Sequence, residues 1–137
     1  MSRTHGVVCD ASTVVDLCIS GAAAPAALHA PALVVSEVTA VLRRIEHGGA
    51  ATHAQTDQAL AHPTVLGISL VDDIELQLAA LEVARTLGWA RTYDALYVAL
   101  ARRSGLPLMT GDGRLRRGAA RLVVTSRCAR SRCGPSN

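Results

Sequence analysis

Short apolar runs alternate along the chain with segments in which apolar residues recur every three or four positions. Four of the runs have the length and composition of buried strands: residues 6–10, 64–71, 106–110 and 120–125. Four periodic segments predict helices: residues 11–20, 32–48, 72–88 and 92–105. Strands separated by helical crossovers pair in parallel, so this alternation predicts a parallel sheet with helices on both faces.

Three further segments carry weaker signals. Residues 21–31 are rich in alanine and punctuated by proline, which indicates a loop or a short helix. Residues 52–63 predict a short helix, and residues 112–118 a turn or a short helix. The pattern describes one domain over residues 1–125, followed by a basic and disordered tail over residues 126–137.

The composition limits both the core and the chemistry. Half of the 137 residues are apolar, but the only aromatic residues are Trp89, Tyr93 and Tyr97, so the core must be built from aliphatic side chains. All 14 basic residues are arginine. The absence of lysine excludes a P-loop nucleotide site and Schiff-base catalysis.

Charge is divided unevenly along the chain. Residues 1–101 hold five arginines and ten acids, whereas residues 102–137 hold nine arginines and one acid. A basic C-terminal third favours an anionic partner such as nucleic acid, or an acidic protein. The alternative is a solvated surface with a disordered tail.

Nothing in the chain predicts a membrane or secretory protein. No apolar run approaches the length of a membrane span, and the first residues lack the apolar stretch of a signal peptide. We therefore expect a cytoplasmic protein with reduced cysteines.

Four acids occupy positions where packing alone would favour a neutral residue. Asp10 ends the first predicted strand, and Asp112 follows the strand at residues 106–110. Asp94 falls in the first turn of its helix, and Glu37 borders the apolar stripe of another. Ligand sites of parallel sheets lie at the carboxyl ends of the strands, so we expect all four carboxylates to meet at that rim.

Such a cluster is costly without a cation. Two carboxylates about 5 Å apart repel by roughly 3 kcal/mol at an effective dielectric constant of about 20. Oxygen ligands of this kind suit Mg²⁺ or Mn²⁺. Taken singly, each acid also has an ordinary interpretation: Asp10 as a helix cap, Asp94 as a first-turn acid, Asp112 as a turn residue and Glu37 as a surface acid.

Three blocks of the sequence resemble a known family. They are "VVCDASTVVDL", "HAPALVVSEVTAVLRR" and "TYDALYVALARRSGLPLMTGDGRL". Over residues 6–125 the chain resembles PIN-domain proteins, and most closely the VapC-type ribonuclease toxins. The resemblance implies an α/β three-layer sandwich, with a mostly parallel central sheet flanked by helices.

The resemblance also implies roles for the four acids. Asp10, Glu37, Asp94 and Asp112 match the catalytic acids of the family. Asp10 and Asp94 match its principal ligands for Mg²⁺ or Mn²⁺, and the other two complete the site, often through bound water. The implied reaction is hydrolysis of an RNA phosphodiester bond.

Other residues are expected to support this chemistry. Ser12 and Thr110 match small hydroxyl positions that hydrogen-bond the acids or the scissile phosphate. Several arginines surround Asp112 in the sequence and are candidates for holding the RNA backbone: Arg102, Arg103, Arg114, Arg116 and Arg117. Of these, Arg114, Arg116 and Arg117 are the main candidates.

The implied partners are RNA, a cognate VapB-type antitoxin, a second copy of the chain in a homodimer, and a toxin–antitoxin hetero-oligomer. Two alternatives stay open at this point. One is a PIN-type nuclease that processes RNA outside toxin biology. The other is a non-catalytic PIN scaffold that binds protein or RNA.

Overall fold

The fold is built on a five-stranded sheet in which every neighbouring pair of strands is parallel. The structure is a computed structural model that describes residues 6–128. The strands are β1 (Gly6–Cys9), β2 (Ala27–Pro31), β3 (Ser69–Val71), β4 (Leu108–Met109) and β5 (Thr125–Ser126). Their order across the sheet is β3-β2-β1-β4-β5.

Helices cover the sheet in two groups. The helices are α1 (Ala11–Ser20), α2 (Leu33–His47), α3 (His53–Leu60), α4 (Pro63–Leu66), α5 (Ile74–Leu87), α6 (Tyr93–Ser104) and α7 (Gly113–Ala119). Helix α1 packs against α2, α3 and α4, while α5 and α6 pack on each other and α6 lies on the central strands. This arrangement confirms the predicted α/β sandwich with a parallel central sheet.

The strand order reverses between β1 and β4. The chain moves outwards from β1 to β3, and then returns to add β4 and β5 on the other side of β1. The register pairs Cys9 with Met109, so Asp10 and Thr110 follow directly at adjacent strand ends. A crevice at such a reversal is the usual ligand site of a parallel sheet.

Local capping explains why the main helices begin and end where predicted. The Asp10 carboxylate accepts a hydrogen bond from the Thr13 N–H and caps α1. Gly21 ends α1 in the left-handed conformation, with φ of 69°, which costs a residue without a side chain little. Thr52 and Gln55 form a capping box at the start of α3.

Strand β2 is the clearest error of the sequence prediction. Residues 21–31 were expected to form a loop or a short helix, but Ala27–Pro31 pairs with both β1 and β3. Alanine has no preference for strands, so the local signal was weak. The buried position between two partner strands decides the conformation here.

Three other predicted strands are shorter than expected, and one of them, predicted over residues 106–110, covers only Leu108–Met109. The strand predicted over residues 64–71 forms only at Ser69–Val71, which pairs with β2. Helix α4 takes the place of its first residues, because Pro63 lies in the first turn and the His62 side chain caps the helix. The strand predicted over residues 120–125 begins only at Thr125. The N–H groups of Leu122 and Val123 instead bond to the Ala119 carbonyl, which extends the turn after α7.

The predicted boundary of the tail falls inside the last strand. Ser126 lies in β5, and its carbonyl accepts a hydrogen bond from the Thr110 N–H. The rest of the predicted tail, from residue 129 onwards, lies outside the described residues. Within residues 6–128, no helix has the length and apolar character needed to cross a bilayer.

The core is almost entirely aliphatic, and helix α5 shows how tertiary packing selects it. Leu76 is 1% exposed, whereas Leu78 on the same helix is 62% exposed. Ile74 and Leu81, the other periodic apolar positions of α5, are exposed as well. The face that packs on α6 is formed instead by Leu76 and small residues such as Ala80.

The two leucines of α5 provide a matched test of this packing. Leu76→Ala should lower the free energy of unfolding by about 2–5 kcal/mol, because it leaves a cavity in the core. Leu78→Ala should change it by less than about 0.5 kcal/mol, since the side chain is already in water. Urea unfolding of both variants measures the difference, and similar losses for the two would contradict the described packing.

Candidate active site

The Asp10 carboxylate is fixed through both of its oxygens. Ser12 Oγ donates to Asp10 Oδ1 at 2.7 Å, and the Thr13 N–H donates to the same oxygen at 3.2 Å. Thr110 Oγ1 donates to Asp10 Oδ2 at 2.5 Å. Asp10 is only 7% exposed, so these bonds replace the water that a free carboxylate would bind.

The two hydroxyl groups are themselves oriented by the loop after β4. The Gly111 N–H donates to Ser12 Oγ at 3.1 Å, and the Asp112 N–H donates to Thr110 Oγ1 at 3.0 Å. Each hydroxyl therefore accepts from the loop and points its own hydrogen at Asp10. A Cβ at Gly111 would lie 3.4 Å from Ser12 Oγ, an ordinary contact distance, so the loop lies directly beside this hydroxyl.

Asp112 combines a structural and an electrostatic role. Its Oδ1 accepts hydrogen bonds from the N–H groups of Arg114 at 2.9 Å and Leu115 at 3.3 Å, and so caps α7. Its charge also raises the pKa of Asp94. Capping uses only one of its two carboxylate oxygens, Oδ1.

Glu37 reaches the same region from α2. The buried Tyr97 hydroxyl of α6 donates a short hydrogen bond to Glu37 Oε1. Partial burial raises the pKa of Glu37, and the charges of Asp94 and Asp10 raise it further, against the lowering effect of the Tyr97 bond. Tyr97 was not singled out by the sequence, although it lies one helical turn after Asp94.

Asp94 lies in the first turn of α6. Partial burial of its carboxyl raises its pKa, followed by the charges of Asp112 and Asp10, while Arg114 lowers it. Together with the shift of Glu37, these couplings indicate that Asp94 lies near Asp112 and Asp10, and that Glu37 lies near Asp94 and Asp10. Asp94 and Asp112 also line one groove. That the four carboxylates form a single catalytic site stays a prediction.

A fifth acid, Asp16, was missed by the sequence reasoning. Partial burial and the charge of Asp10 raise its pKa. A Cβ at Gly111 would lie 3.9 Å from Asp16 Oδ2, which places Asp16 beside the loop after β4. An acid on an otherwise apolar helix, six residues after Asp10, was the signal that could have identified it.

The predicted arginines separate into two groups. Arg114 lines a groove of about 560 Å³ that also contains Asp94 and Asp112. Arg116 Nη1 donates to the Thr110 carbonyl at 3.4 Å, and Arg117 is exposed on α7. Their contact with RNA stays a prediction.

Arg102 and Arg103 do not flank the acids. Both lie in the last turn of α6, whereas Asp94 lies in its first turn. Arg103 forms a two-point ion pair with Asp73, the cap of α5, at 3.0 and 3.1 Å. The expectation from sequence was wrong because residues close in sequence are separated by the length of the helix.

The donor set fits a hard divalent cation that keeps much of its water. Within residues 6–128, no three His, Cys, Asp or Glu side chains form a ready-made metal cage. Mg²⁺ does not need one, since it is commonly held by one or two carboxylates, several waters and the phosphates of a substrate. Asp10 and Asp94 could supply the two carboxylates of such an open site, and carboxylate oxygens are ligands that suit Mg²⁺.

The comparison with known proteins agrees with this geometry. The sequence profile of the PIN domain matches residues 10–121, a span that runs from Asp10 to just beyond α7. The chain belongs to the PIN-domain family.

Similar proteins place the chain in a narrower group within this family. The chain is 38% identical over 125 residues to Ribonuclease VapC3 of Mycobacterium tuberculosis, in the CDC 1551/Oshkosh and H37Rv strains alike, with 85% of this chain and 89% of the relative covered. It is therefore one of the VapC-type PIN proteins.

Two solved structures share the fold. PAE2754 from Pyrobaculum aerophilum matches with a TM-score of 0.68 and 23% identity, covering 88% of this chain and 91% of that one. VapBC-1 from nontypeable Haemophilus influenzae matches with a TM-score of 0.57 and 12% identity, covering 89% of this chain and 97% of that one. At these identities the likeness is one of fold.

The raised pKa of Asp94 leads to a test of the site by stability. A carboxyl whose pKa is higher in the folded state destabilises the fold when it is ionised. Asp94→Asn should therefore raise the free energy of unfolding at neutral pH, because the amide carries no charge beside Asp112 and Asp10. The gain should shrink as the pH falls through the raised pKa, where Asp94 takes up a proton. Urea unfolding across the acid range measures it.

Asp57→Asn is the control, because Asp57 is exposed on α3. It should give no comparable gain at neutral pH. A less stable Asp94→Asn protein at neutral pH would show that the acids do not repel one another as described.

Proposed function

We propose that this protein is a metal-dependent endoribonuclease and the toxin of a type II toxin–antitoxin system. The observation that carries the proposal is the Asp10 carboxylate, held by Ser12 and Thr110 at the reversal of strand order, with Glu37 and Asp94 near enough for its charge to act on them. Membership of the PIN-domain family and the ribonuclease named among the relatives support the same activity.

Asp10 and Asp94 are the residues that would hold Mg²⁺ or Mn²⁺, with Glu37 and Asp112 acting through water. When bound, such an ion supplies Lewis-acid chemistry and neutralises the charge of the phosphate. The chain's own groups do the rest. Asp10 is rigid because three hydrogen bonds fix its carboxylate.

Glu37 is the best placed group to accept a proton from the attacking water. Its Oε1 is engaged by Tyr97, which leaves Oε2 for that role. Burial and neighbouring charges raise its pKa above the ordinary value of a glutamate, against the lowering effect of the Tyr97 bond, and a raised pKa makes a carboxylate a stronger base. The complete set of acids supports catalysis over the alternative of a non-catalytic scaffold.

We also propose protein partners, a VapB-type antitoxin and a second copy of the chain. The exposed apolar side chains support such contacts, since side chains such as Ile19 and Ile74 are 63% and 71% exposed. Exposed apolar side chains of this size can take part in interfaces. The activity is expected in the cytoplasm, where RNA and reduced thiols occur together.

Removal of one acid tests the catalytic proposal. Asp94→Asn should reduce RNA cleavage by about a hundredfold or more while the protein stays folded, because it removes a ligand charge. Expression of the variant should no longer arrest growth. Cleavage of structured RNAs with and without Mn²⁺ measures the effect, with Asp57→Asn as a fully active control. Full activity of Asp94→Asn would refute the assignment.

Metal binding can be measured without any activity. Addition of Mn²⁺ or Mg²⁺ should raise the melting temperature of the unsubstituted chain, because a ligand that binds only the folded state stabilises it. Asp10→Asn and Asp94→Asn should reduce that shift, and Asp57→Asn should retain it. An equal shift in all four proteins would place the ion elsewhere.

A further inference from the structure

Asp94 and Asp112 line an open groove that also contains Trp89 and Arg91, two residues with no role in the site described so far. The groove of about 560 Å³ runs between the α5–α6 connection and α7. Its lining contains Asp94 and Asp112 together with Trp89, Arg91 and Arg114. The nucleotide next to a phosphate held at Asp94 would therefore be within reach of this groove.

Trp89 is held in a fixed position at the groove. Its backbone N–H donates to the Ala84 carbonyl at 2.8 Å, which fixes the backbone just after α5. A Cβ at Gly118 would lie only 2.7 Å from Trp89 Cζ2, so one edge of the indole rests against the backbone of α7. The side chain is half-buried, and part of it therefore faces the groove. A rigid aromatic ring of this kind is suited to stacking on an unpaired base.

Two guanidinium groups lie in the same groove. Among the described residues, the ion pairs involve other arginines, namely Arg43, Arg85 and Arg103. Arg114 lies near enough to Asp94 to lower its pKa, and Arg91 is exposed to solvent. Paired cationic forks beside an aromatic face match the alternation of phosphate and base in single-stranded RNA.

We propose that this groove binds the nucleotide next to the scissile phosphate, with its base stacked on Trp89 and its phosphates bound by Arg91 and Arg114. The inference rests on the proposed ribonuclease activity and adds the path that the RNA takes away from the acids. The RNA leaves the acids over residues 88–91, and an unpaired base is required there.

Trp89 itself reports on the proposal, because it is the chain's one tryptophan. The full chain carrying Asp10→Asn, in Mg²⁺, keeps the groove and leaves the RNA uncut. Asparagine retains an acceptor oxygen for Ser12 and Thr13. A short single-stranded oligoadenylate should quench the Trp89 emission, while an abasic oligomer of the same length and charge should bind without comparable quenching. Equal responses to the two oligomers, or none to either, would overturn the stacking.

Substitutions then separate the groups in kinetic terms. Trp89→Leu, which keeps apolar packing, should raise KM for RNA by roughly tenfold with a smaller change in kcat, and Trp89→Phe should lie between. Arg91→Gln should flatten the salt dependence of binding. Arg102→Gln is the control. It removes one positive charge in the last turn of α6, about 12 Å along the helix from Asp94, and should leave KM unchanged.

The two levels of the hypothesis fail in different ways. If the unsubstituted chain cleaves RNA but Trp89→Leu and Trp89→Phe keep its KM, the groove assignment is wrong and the activity stands. If the unsubstituted chain neither binds nor cleaves any RNA in Mn²⁺, the proposed function falls, and the groove assignment falls with it.

Discussion

The Asp10 carboxylate, held between hydroxyl groups from two adjacent strand ends, is the constraint around which the rim of the sheet is organised. Ser12 and Thr110 each donate to one of its oxygens, and each accepts an N–H from the loop after β4. The arrangement needs β1 and β4 to be parallel neighbours in one register. A slip of one residue would turn Thr110 to the opposite face and leave a buried charge without its donors.

This fixed charge adds to the effect of burial on the other acids. Asp94, Glu37 and Asp16 all have a raised pKa, and the charge of Asp10 contributes to each. The fold tolerates the repulsion because its stability comes from an aliphatic core beneath the rim. Sites of this kind commonly reduce stability in exchange for function. A bound divalent cation would offset the same repulsion.

The ordinary and the functional interpretations of the acids are compatible. Asp10 caps α1, as its isolated sequence context suggested, and Asp112, whose context suggested a turn residue, caps α7. A carboxylate has enough lone pairs for a helix end and a second ligand, so capping also orients the remaining oxygen. Helices α1 and α7 begin just after β1 and β4 end, and their caps therefore hold these two acids in place.

The aromatic residues near the acids also have roles that depend on their positions. Trp89, Tyr93 and Tyr97 are spaced four residues apart around Asp94. Tyr97 is buried and holds Glu37, whereas Trp89 rests on α7 beside the groove. The sequence contained this spacing, but each ring's role depended on which helix lay opposite it.

The sequence by itself determined the helices with strong periodicity and capping signals, the strand at Gly6–Cys9, and the acids at the strand ends. These features are local: a glycine stop or an acid after an apolar run acts within a few residues. Only the tertiary structure decided that the alanine-rich Ala27–Pro31 is a central strand and that Leu76, not Leu78, faces the core. It also brought Asp16, Tyr97 and Trp89 to the acids. Periodicity reveals that a face is apolar, but the partner that covers the face comes from elsewhere in the chain.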